Sequence, residues 1–224
     1  MSRDILHSLR GKLIVSSQAM NPKSPLRRPE ILSLMAQAAE LGGAGGFRVD
    51  GAAVVEHLRP NTRLPIIGIV KDGRGGFANY ITTSSADVEA LCAAGADIVA
   101  IQTTAGSRPG ESFAQIAASA HRLGARVMAD IATVGEAEEA VRDGADLVAT
   151  TMVGHTAATV GALRPPLDLL SQLLNRLRVP VVIEGGVWTP EHVRDCFAAG
   201  AFAVVCGSAV TAPDIITRRL ISGT

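Results

Sequence analysis

One pattern recurs along the chain: a helical segment ends in a glycine, and a short apolar run follows at once. The copies are CAAGADIVAI (92–101), VRDGADLVAT (141–150), FAAGAFAVVC (197–206) and, more loosely, AELGGAGGFR (39–48). Glycine is common where helices end, and an apolar run without polar alternation is typical of a strand covered on both faces. The repeated order of helix and strand therefore predicts βα units and a parallel sheet.

Eight apolar runs fit the strands of such a sheet. They are Leu13–Ser17, Ala44–Arg48, Pro65–Val70, Ile98–Gln102, Arg126–Asp130, Leu147–Thr151, Pro180–Glu184 and Ala203–Gly207. Helical patterns lie between them, at 30–41, 86–95, 112–124, 135–144, 167–177 and 190–200. Eight alternating units in 224 residues predict one (β/α)8 TIM barrel, a single domain over residues 1–224. An open doubly wound sheet is the alternative, but no Gly-x-Gly-x-x-Gly fingerprint follows the first strand.

Composition excludes several classes of function. Lysine plus arginine and aspartate plus glutamate both number 21, so no basic surplus indicates binding to nucleic acid or to an anionic membrane. The three cysteines are widely spaced among apolar residues, which fits neither a disulfide framework nor a zinc site, and we predict no bound metal. No secretory leader and no apolar run of roughly 18 residues is present, which predicts a cytoplasmic protein. The sequence leaves the oligomeric state open and is compatible with a homodimer.

Polar side chains stand at the carboxyl end of each predicted strand. They are Gln18, Arg48, Lys71, Gln102, Asp130, Thr151, Glu184 and Ser208. In a (β/α)8 barrel these strand ends, with the loops that follow them, build the active site. We therefore expect the eight side chains to converge on one rim.

Lys71 and Glu184 are the strongest candidates for proton transfer. Each follows a buried apolar run, so partial desolvation would lower the pKa of the lysine and raise that of the glutamate toward neutrality. Asp130 is expected to keep Lys71 charged or to orient it. A structural ion pair between Lys71 and Glu184 is the alternative interpretation. Arg48 is expected either to bind an anionic or hydroxyl group of a substrate or to pair with Asp50 in solvent.

Glycines after the last two strands predict a phosphate site. EGGVWTPEHV (184–193) runs from a strand through glycines to a helix start, with Thr189 as the N-cap and Pro190 in the first turn. CGSAVTAPDII (206–216) repeats that order. Phosphate-binding barrels hold the anion on backbone N–H groups at this place. The predicted phosphate-binding residues are Gly185, Gly186, Gly207 and Ser208.

Taken together and in order, several segments of the chain resemble the N-acetylmannosamine-6-phosphate 2-epimerases. They are GKLIVSSQA, GGFRVDG, LPIIGIVK, ADIVAIQTT with the later RP, MADIATVGEAEEA, GADLVATTMVGHT, PVVIEGGVWTPE and GAFAVVCGSAVTAP. The resemblance covers nearly the whole length. It implies a (β/α)8 barrel that inverts C2 of a sugar phosphate, without a cofactor, in sialic acid and amino sugar breakdown.

The resemblance also assigns roles to residues. The family's catalytic lysine, glutamate and aspartate fall on Lys71, Glu184 and Asp130. The expected substrate-binding residues are Gln18, Arg48, Thr104, Arg108, Thr151 and His155. The chain departs from the family pattern at Gly186 and Ala212, where arginines are expected, at His155, where tyrosine is expected, and at Gln102, where aspartate is expected.

Two other functions stay open on the sequence. Lys71 beside a carboxylate is also what a Schiff-base lyase of this fold would use. A barrel that binds sugar phosphates without catalysis is the second alternative, because this fold carries many functions.

Overall fold

The computed structural model describes residues 5–222, and its eight parallel strands form a closed barrel in which each strand pairs with the next and β8 pairs with β1. The strands are β1 Leu13–Ser17, β2 Gly46–Asp50, β3 Ile66–Ile69, β4 Ile98–Gln102, β5 Arg126–Asp130, β6 Leu147–Ala149, β7 Val181–Glu184 and β8 Ala203–Cys206. The predicted (β/α)8 barrel is confirmed, and the open-sheet alternative is excluded.

The helices surround the barrel. They are α1 Ile5–Leu9, α2 Pro29–Leu41, α3 Ala52–Leu58, α4 Ser85–Ala93, α5 Phe113–Arg122, α6 Val134–Arg142, α7 Leu167–Arg176, α8 Pro190–Ala198, α9 Ser208–Thr211 and α10 Pro213–Ile221, with a 3-10 turn at Arg59–Asn61. The six helical patterns of the sequence correspond to α2 and α4 to α8. Within residues 5–222 no helix is both long enough and apolar enough to cross a membrane.

The repeated motif has a local physical cause. Gly95, Gly144 and Gly200 follow the ends of α4, α6 and α8 with φ of 100°, 108° and 98°, a backbone region that other residues rarely adopt. In the first copy the N–H of Ala96 donates to the carbonyl of Leu91 at 3.0 Å, and the other copies repeat this bond. Each copy therefore ends its helix in a Schellman motif and directs the chain into the next strand.

Strand β2 begins two residues later than predicted. The N–H of Ala44 donates to Ala39 at the end of α2, and the N–H of Gly45 donates to Leu13 of β1, so neither residue enters the ladder to β3. At its other end the strand continues to Asp50, which pairs with Ile69 of β3. The shift moves Arg48 from the rim, where we expected it, into the middle of a strand.

Two apolar layers hold the barrel. The inner layer includes Ile14, Ile67, Ile69, Met128 and Leu147, and a larger layer lies between the strands and the helices. At the carboxyl rim the interior is lined by polar side chains. There the Thr150 hydroxyl accepts from the N–H of Glu184 and donates to the carbonyl of Glu184. That exchange ends β6 at Ala149, two residues earlier than predicted.

Candidate active site

A cavity of about 440 Å³ opens at the carboxyl rim of the barrel. Ten of the thirteen predicted site residues line it: Gln18, Arg48, Lys71, Thr151, His155, Glu184, Gly185, Gly186, Gly207 and Ser208. The volume lies in the usual range for a small-molecule site. The one-sided polarity of the strand ends therefore corresponds to one concave surface.

The floor of the cavity carries a buried charge network. Arg48, which is 1% exposed, donates from Nη1 and Nη2 to the two carboxylate oxygens of Asp130, at 3.0 and 2.6 Å. Its Nη1 also lies 3.3 Å from Oε2 of Glu184. The Thr151 hydroxyl is placed to bond with both carboxylates, at 2.6 Å from Asp130 and 3.2 Å from Glu184.

This network bears on two expectations. Asp130 holds Arg48 in a bidentate pair and does not contact Lys71 directly; burial lowers the pKa of Lys71, and the Asp130 charge is among those that oppose this shift and favour the charged amine. Arg48 pairs with Asp130 and Glu184 inside the barrel, and not with Asp50 in solvent, because it alternates along β2 with Phe47 and Val49, which pack in the layer between the strands and the helices. Burial alone would lower the pKa of Arg48, but the Asp130 and Glu184 carboxylates raise it above its usual value.

Lys71 lies directly beyond β3 with a different set of partners. Its Nζ donates to Oε1 of Gln18 at 2.5 Å and lies 4.0 Å from a carboxylate oxygen of Asp50. The other oxygen of Asp50 accepts from the backbone N–H of Lys71 at 3.1 Å. Burial lowers the pKa of Lys71, and the Asp50 charge opposes that shift. Burial raises the pKa of Glu184, and the Arg48 charge opposes that shift.

Lys71 and Glu184 stand on opposite walls of the cavity. Lys71 follows β3 and Glu184 ends β7, so half of the eight-stranded ring separates them in either direction. Both line the cavity, and no nitrogen–oxygen distance of 4.0 Å or less joins them among the described ion pairs. The alternative of a structural Lys71–Glu184 ion pair is therefore wrong for this structure.

The glycine-rich part of the rim is built as the sequence predicts. The Thr189 hydroxyl caps α8 by accepting from the N–H of His192, and Pro190 occupies its first turn. Gly185 and Gly186 have φ of 110° and 76°. On the neighbouring strand, Gly207 precedes Ser208, the first residue of α9.

Two predicted substrate-binding residues do not line the cavity. The Thr104 hydroxyl accepts from the Gln102 amide at 2.8 Å, and Arg108 donates to the Gln102 carbonyl and to Oδ1 of Asn79 at 3.3 Å. These side chains support the segment that carries Tyr80, which does line the cavity. Direct contact of Thr104 and Arg108 with a substrate stays a prediction, and the geometry favours a supporting role.

Sequence reasoning missed Arg164, a further cation in the cavity wall. It lies in the long loop after β6. The one indication in the sequence is that it is a charged residue in a loop of neutral residues. Within residues 5–222 no group of three or more His, Cys, Asp or Glu side chains is arranged to hold a metal ion. The cysteines Cys92, Cys196 and Cys206 are free thiols outside the cavity.

Comparison with known proteins identifies the family. A family model described as "Putative N-acetylmannosamine-6-phosphate epimerase" matches residues 32–224. The chain belongs to this epimerase family.

A relative from Synechococcus elongatus is 44% identical over 223 residues, covering 97% of this chain and 95% of its own. One from Caldanaerobacter subterraneus is 38% identical over 227 residues, covering 99% and 94%. Both carry the name "Putative N-acetylmannosamine-6-phosphate 2-epimerase".

A solved structure agrees with this assignment. The N-acetylmannosamine-6-phosphate 2-epimerase from Clostridium perfringens superimposes with a TM-score of 0.95 at 32% identity, covering 100% of this chain and 98% of its own. Membership of the epimerase family favours an isomerase over the Schiff-base lyase and over the non-catalytic barrel. The resemblance seen in the sequence is therefore confirmed.

The structure also accounts for one departure from the epimerase pattern. A Cβ atom at Gly186 would lie 2.3 Å from Cβ of Arg164 and 2.8 Å from its carbonyl carbon. Any side chain at this position would collide with the β6 loop as it is placed here. An arginine at position 186 and Arg164 in its observed place therefore exclude each other.

Proposed function

We propose that this protein interconverts N-acetylmannosamine 6-phosphate and N-acetylglucosamine 6-phosphate by moving a proton at C2. The observation that carries the proposal is the pair Lys71 and Glu184 on opposite walls of one cavity, each with its pKa shifted toward neutrality by burial. Membership of the epimerase family and the names of its relatives support the substrate. The resemblance of the sequence to this family implies that the reaction serves amino sugar breakdown, including that of sialic acid.

The chemistry needs two proton-transfer groups that approach the sugar from different sides. In the open-chain sugar C2 lies next to the C1 aldehyde, so loss of its proton gives an enolate. Return of a proton to the opposite face gives the epimer. Lys71 and Glu184 would fill the two roles, one as base and the other as acid, and would exchange roles in the reverse reaction.

Arg48 would stabilise the negative charge that builds up on the enolate. Its guanidinium is held by Asp130 at the cavity floor, so it needs no rearrangement when that charge appears. The Thr151 hydroxyl lies between the two carboxylates and can donate its one proton to either of them. Asp130 is then a positioning residue that acts through Arg48 and Thr151.

The forward and the reverse epimerisation need the same number of protons on the pair Lys71 and Glu184. Before the reaction the pair Lys71 and Glu184 holds one exchangeable proton, and after it the pair again holds one. The forward and reverse reactions should therefore share one bell-shaped pH range, bounded by the two macroscopic pKa values of the pair.

The remaining residues would bind the sugar phosphate. Backbone N–H groups of Gly185, Gly186, Gly207 and Ser208 are the proposed phosphate contacts. Gln18, which accepts from Nζ of Lys71, would set the direction of the lysine toward C2.

Proton NMR in heavy water tests the proposal. With N-acetylmannosamine 6-phosphate, we expect loss of the C2 proton signal and growth of the gluco epimer. Lys71→Met and Glu184→Gln should each abolish both changes. The matched controls are Lys12→Met at the opposite end of the barrel and Glu56→Gln on α3, both exposed, which should leave the rate unchanged.

Two outcomes would count against the proposal. Retention of the C2 signal at high enzyme concentration would reject this substrate. Trapping of a covalent adduct on Lys71 by borohydride in the presence of the sugar phosphate would support the lyase instead.

A further inference from the structure

The cavity holds three cationic side chains from the described part of the chain, and their partners differ. Arg48 forms ion pairs with Asp130 and Glu184, and Nζ of Lys71 donates to Gln18 and lies 4.0 Å from a carboxylate oxygen of Asp50. Within residues 5–222, Arg164 has no carboxylate within 4.0 Å, and its recorded side-chain partner is His155. Its positive charge is therefore uncompensated in the cavity wall.

Three glycines make room for Arg164. Gly154, Gly185 and Gly186 have φ of 83°, 110° and 76°, and each lies against its backbone or side chain. A Cβ atom at Gly154 would come within 3.4 Å of the guanidinium carbon, and one at Gly185 within 3.7 Å of Cδ. The side chain therefore lies along a glycine surface formed by the loops after β6 and β7. That surface includes half of the proposed phosphate contacts.

His155 leaves most of the guanidinium available. Nη1 of Arg164 donates to Nε2 of His155 at 3.2 Å, which requires a neutral imidazole with its proton on Nδ1. Burial lowers the pKa of His155, and the Arg164 charge adds to the shift, so the ring is neutral at pH 7. One N–H of the five on Arg164 is occupied in this way, and the others remain for a ligand.

We propose that Arg164 is a specificity-determining residue that binds the phosphate group of the substrate from above Gly185 and Gly186. A guanidinium matches a phosphate monoester because two parallel N–H groups can bond to two of its oxygens. The chain has no net charge to attract an anion, so a local cation must supply the attraction. The inference rests on the proposed function only in taking the substrate to be a sugar phosphate.

Calorimetry separates the phosphate contact from the rest of binding. The ligands are a pre-equilibrated mixture of the two N-acetylhexosamine 6-phosphates, in which turnover adds no heat, and the same mixture of sugars without phosphate. We expect Arg164→Ala to weaken binding of the phosphates about 10- to 100-fold, the usual effect of losing a charge-assisted hydrogen bond. Binding of the unphosphorylated sugars should change less than about twofold, since they lack the group that Arg164 contacts.

Two further variants sharpen the test. Arg164→Lys keeps the charge but loses the bidentate geometry, so it should recover part of the affinity. Arg178→Ala removes one exposed charge before β7, at the opposite end of the barrel, and should bind the phosphates as the unsubstituted chain does. Inorganic phosphate, titrated as a competitor, should lose affinity for Arg164→Ala but not for Arg178→Ala.

Three results would overturn the inference. They are equal affinity of Arg164→Ala and Arg178→Ala for the sugar phosphates, an equal loss for phosphorylated and unphosphorylated sugars, and no binding of the phosphates by the unsubstituted chain. Failure of the proposed epimerase reaction would appear separately, as an unexchanged C2 proton in heavy water beside normal phosphate binding.

Discussion

Replacing Asp130 should destabilise the barrel because it leaves a buried charge without its main partner. Asp130 is 0% exposed and Arg48 1% exposed, and the two share a pair of hydrogen bonds at 3.0 and 2.6 Å. Asp130→Leu removes both acceptors, and because leucine is larger than aspartate its overpacking adds to the cost in the same direction. Arg48 cannot lose its proton, so it stays charged inside the barrel.

The magnitude follows from what remains near Arg48. Breaking a buried ion pair by removing one partner costs about 3–5 kcal/mol of unfolding free energy. Glu184 still lies 3.3 Å from Nη1, so the lower end of that range, about 3 kcal/mol, is expected here. In a chain of 224 residues each kcal/mol lowers the unfolding midpoint by roughly 2–4 °C, which gives a decrease of roughly 6–12 °C.

Thermal unfolding at pH 7, followed by circular dichroism, measures this decrease. The double variant Arg48→Met with Asp130→Leu removes both charges and should be more stable than Asp130→Leu alone. As a control, Glu138→Ala breaks the exposed pair with Arg176 and should cost only about 0–1 kcal/mol. A midpoint for Asp130→Leu close to that of the control, or a double variant less stable than Asp130→Leu, would refute the reasoning.

Three further predictions concern protonation and packing. Gln18→Glu places a carboxylate beside Nζ of Lys71, so it should raise the pKa of that amine and move the alkaline limit of activity to higher pH in a pH–rate profile. Burial raises the pKa of Glu184, so the folded state favours the protonated carboxyl, and its contribution to stability is present below pH 4.5 and is lost as pH rises. Glutamine resembles that neutral form, so Glu184→Gln should have a melting temperature at pH 7 no lower than that of the unsubstituted chain. Gly68→Ala should cost about 1–3 kcal/mol in denaturant unfolding, because its Cβ would lie 2.8 Å from a methyl carbon of α4. The exposed helical control Gly135→Ala, with open space around it, should stabilise by up to about 1 kcal/mol.

The barrel could be predicted from the sequence because its decisive signals are local. Each copy of the repeated motif ends a helix through a glycine with positive φ and continues at once into a buried strand. The strand ends were predicted within two residues, and in a closed parallel barrel all of them meet at the same rim. Knowing the strand order was therefore enough to bring Lys71 and Glu184 into one cavity.

The partners of those residues could not be predicted in the same way. Arg48 faces the barrel interior because it alternates with Phe47 and Val49 along β2, but its partners Asp130 and Glu184 come from distant strands, which is a tertiary effect. The position of Arg164 depends on the path of the long loop after β6, for which the sequence contains no periodic signal. The sequence shows which residues are charged, but it does not show which arginine or lysine will pair with each carboxylate.

The buried network explains how Glu184 can stay a weak acid beside an arginine. A guanidinium 3.3 Å away would by itself hold the glutamate ionised and make it a poor base. Burial raises the pKa of Glu184 against the guanidinium, and the negative charge of Asp130, which accepts from both Nη groups of Arg48, adds to that rise. Arg48 is thus kept as a fixed positive charge for the enolate, while Glu184 stays basic enough to exchange a proton with carbon.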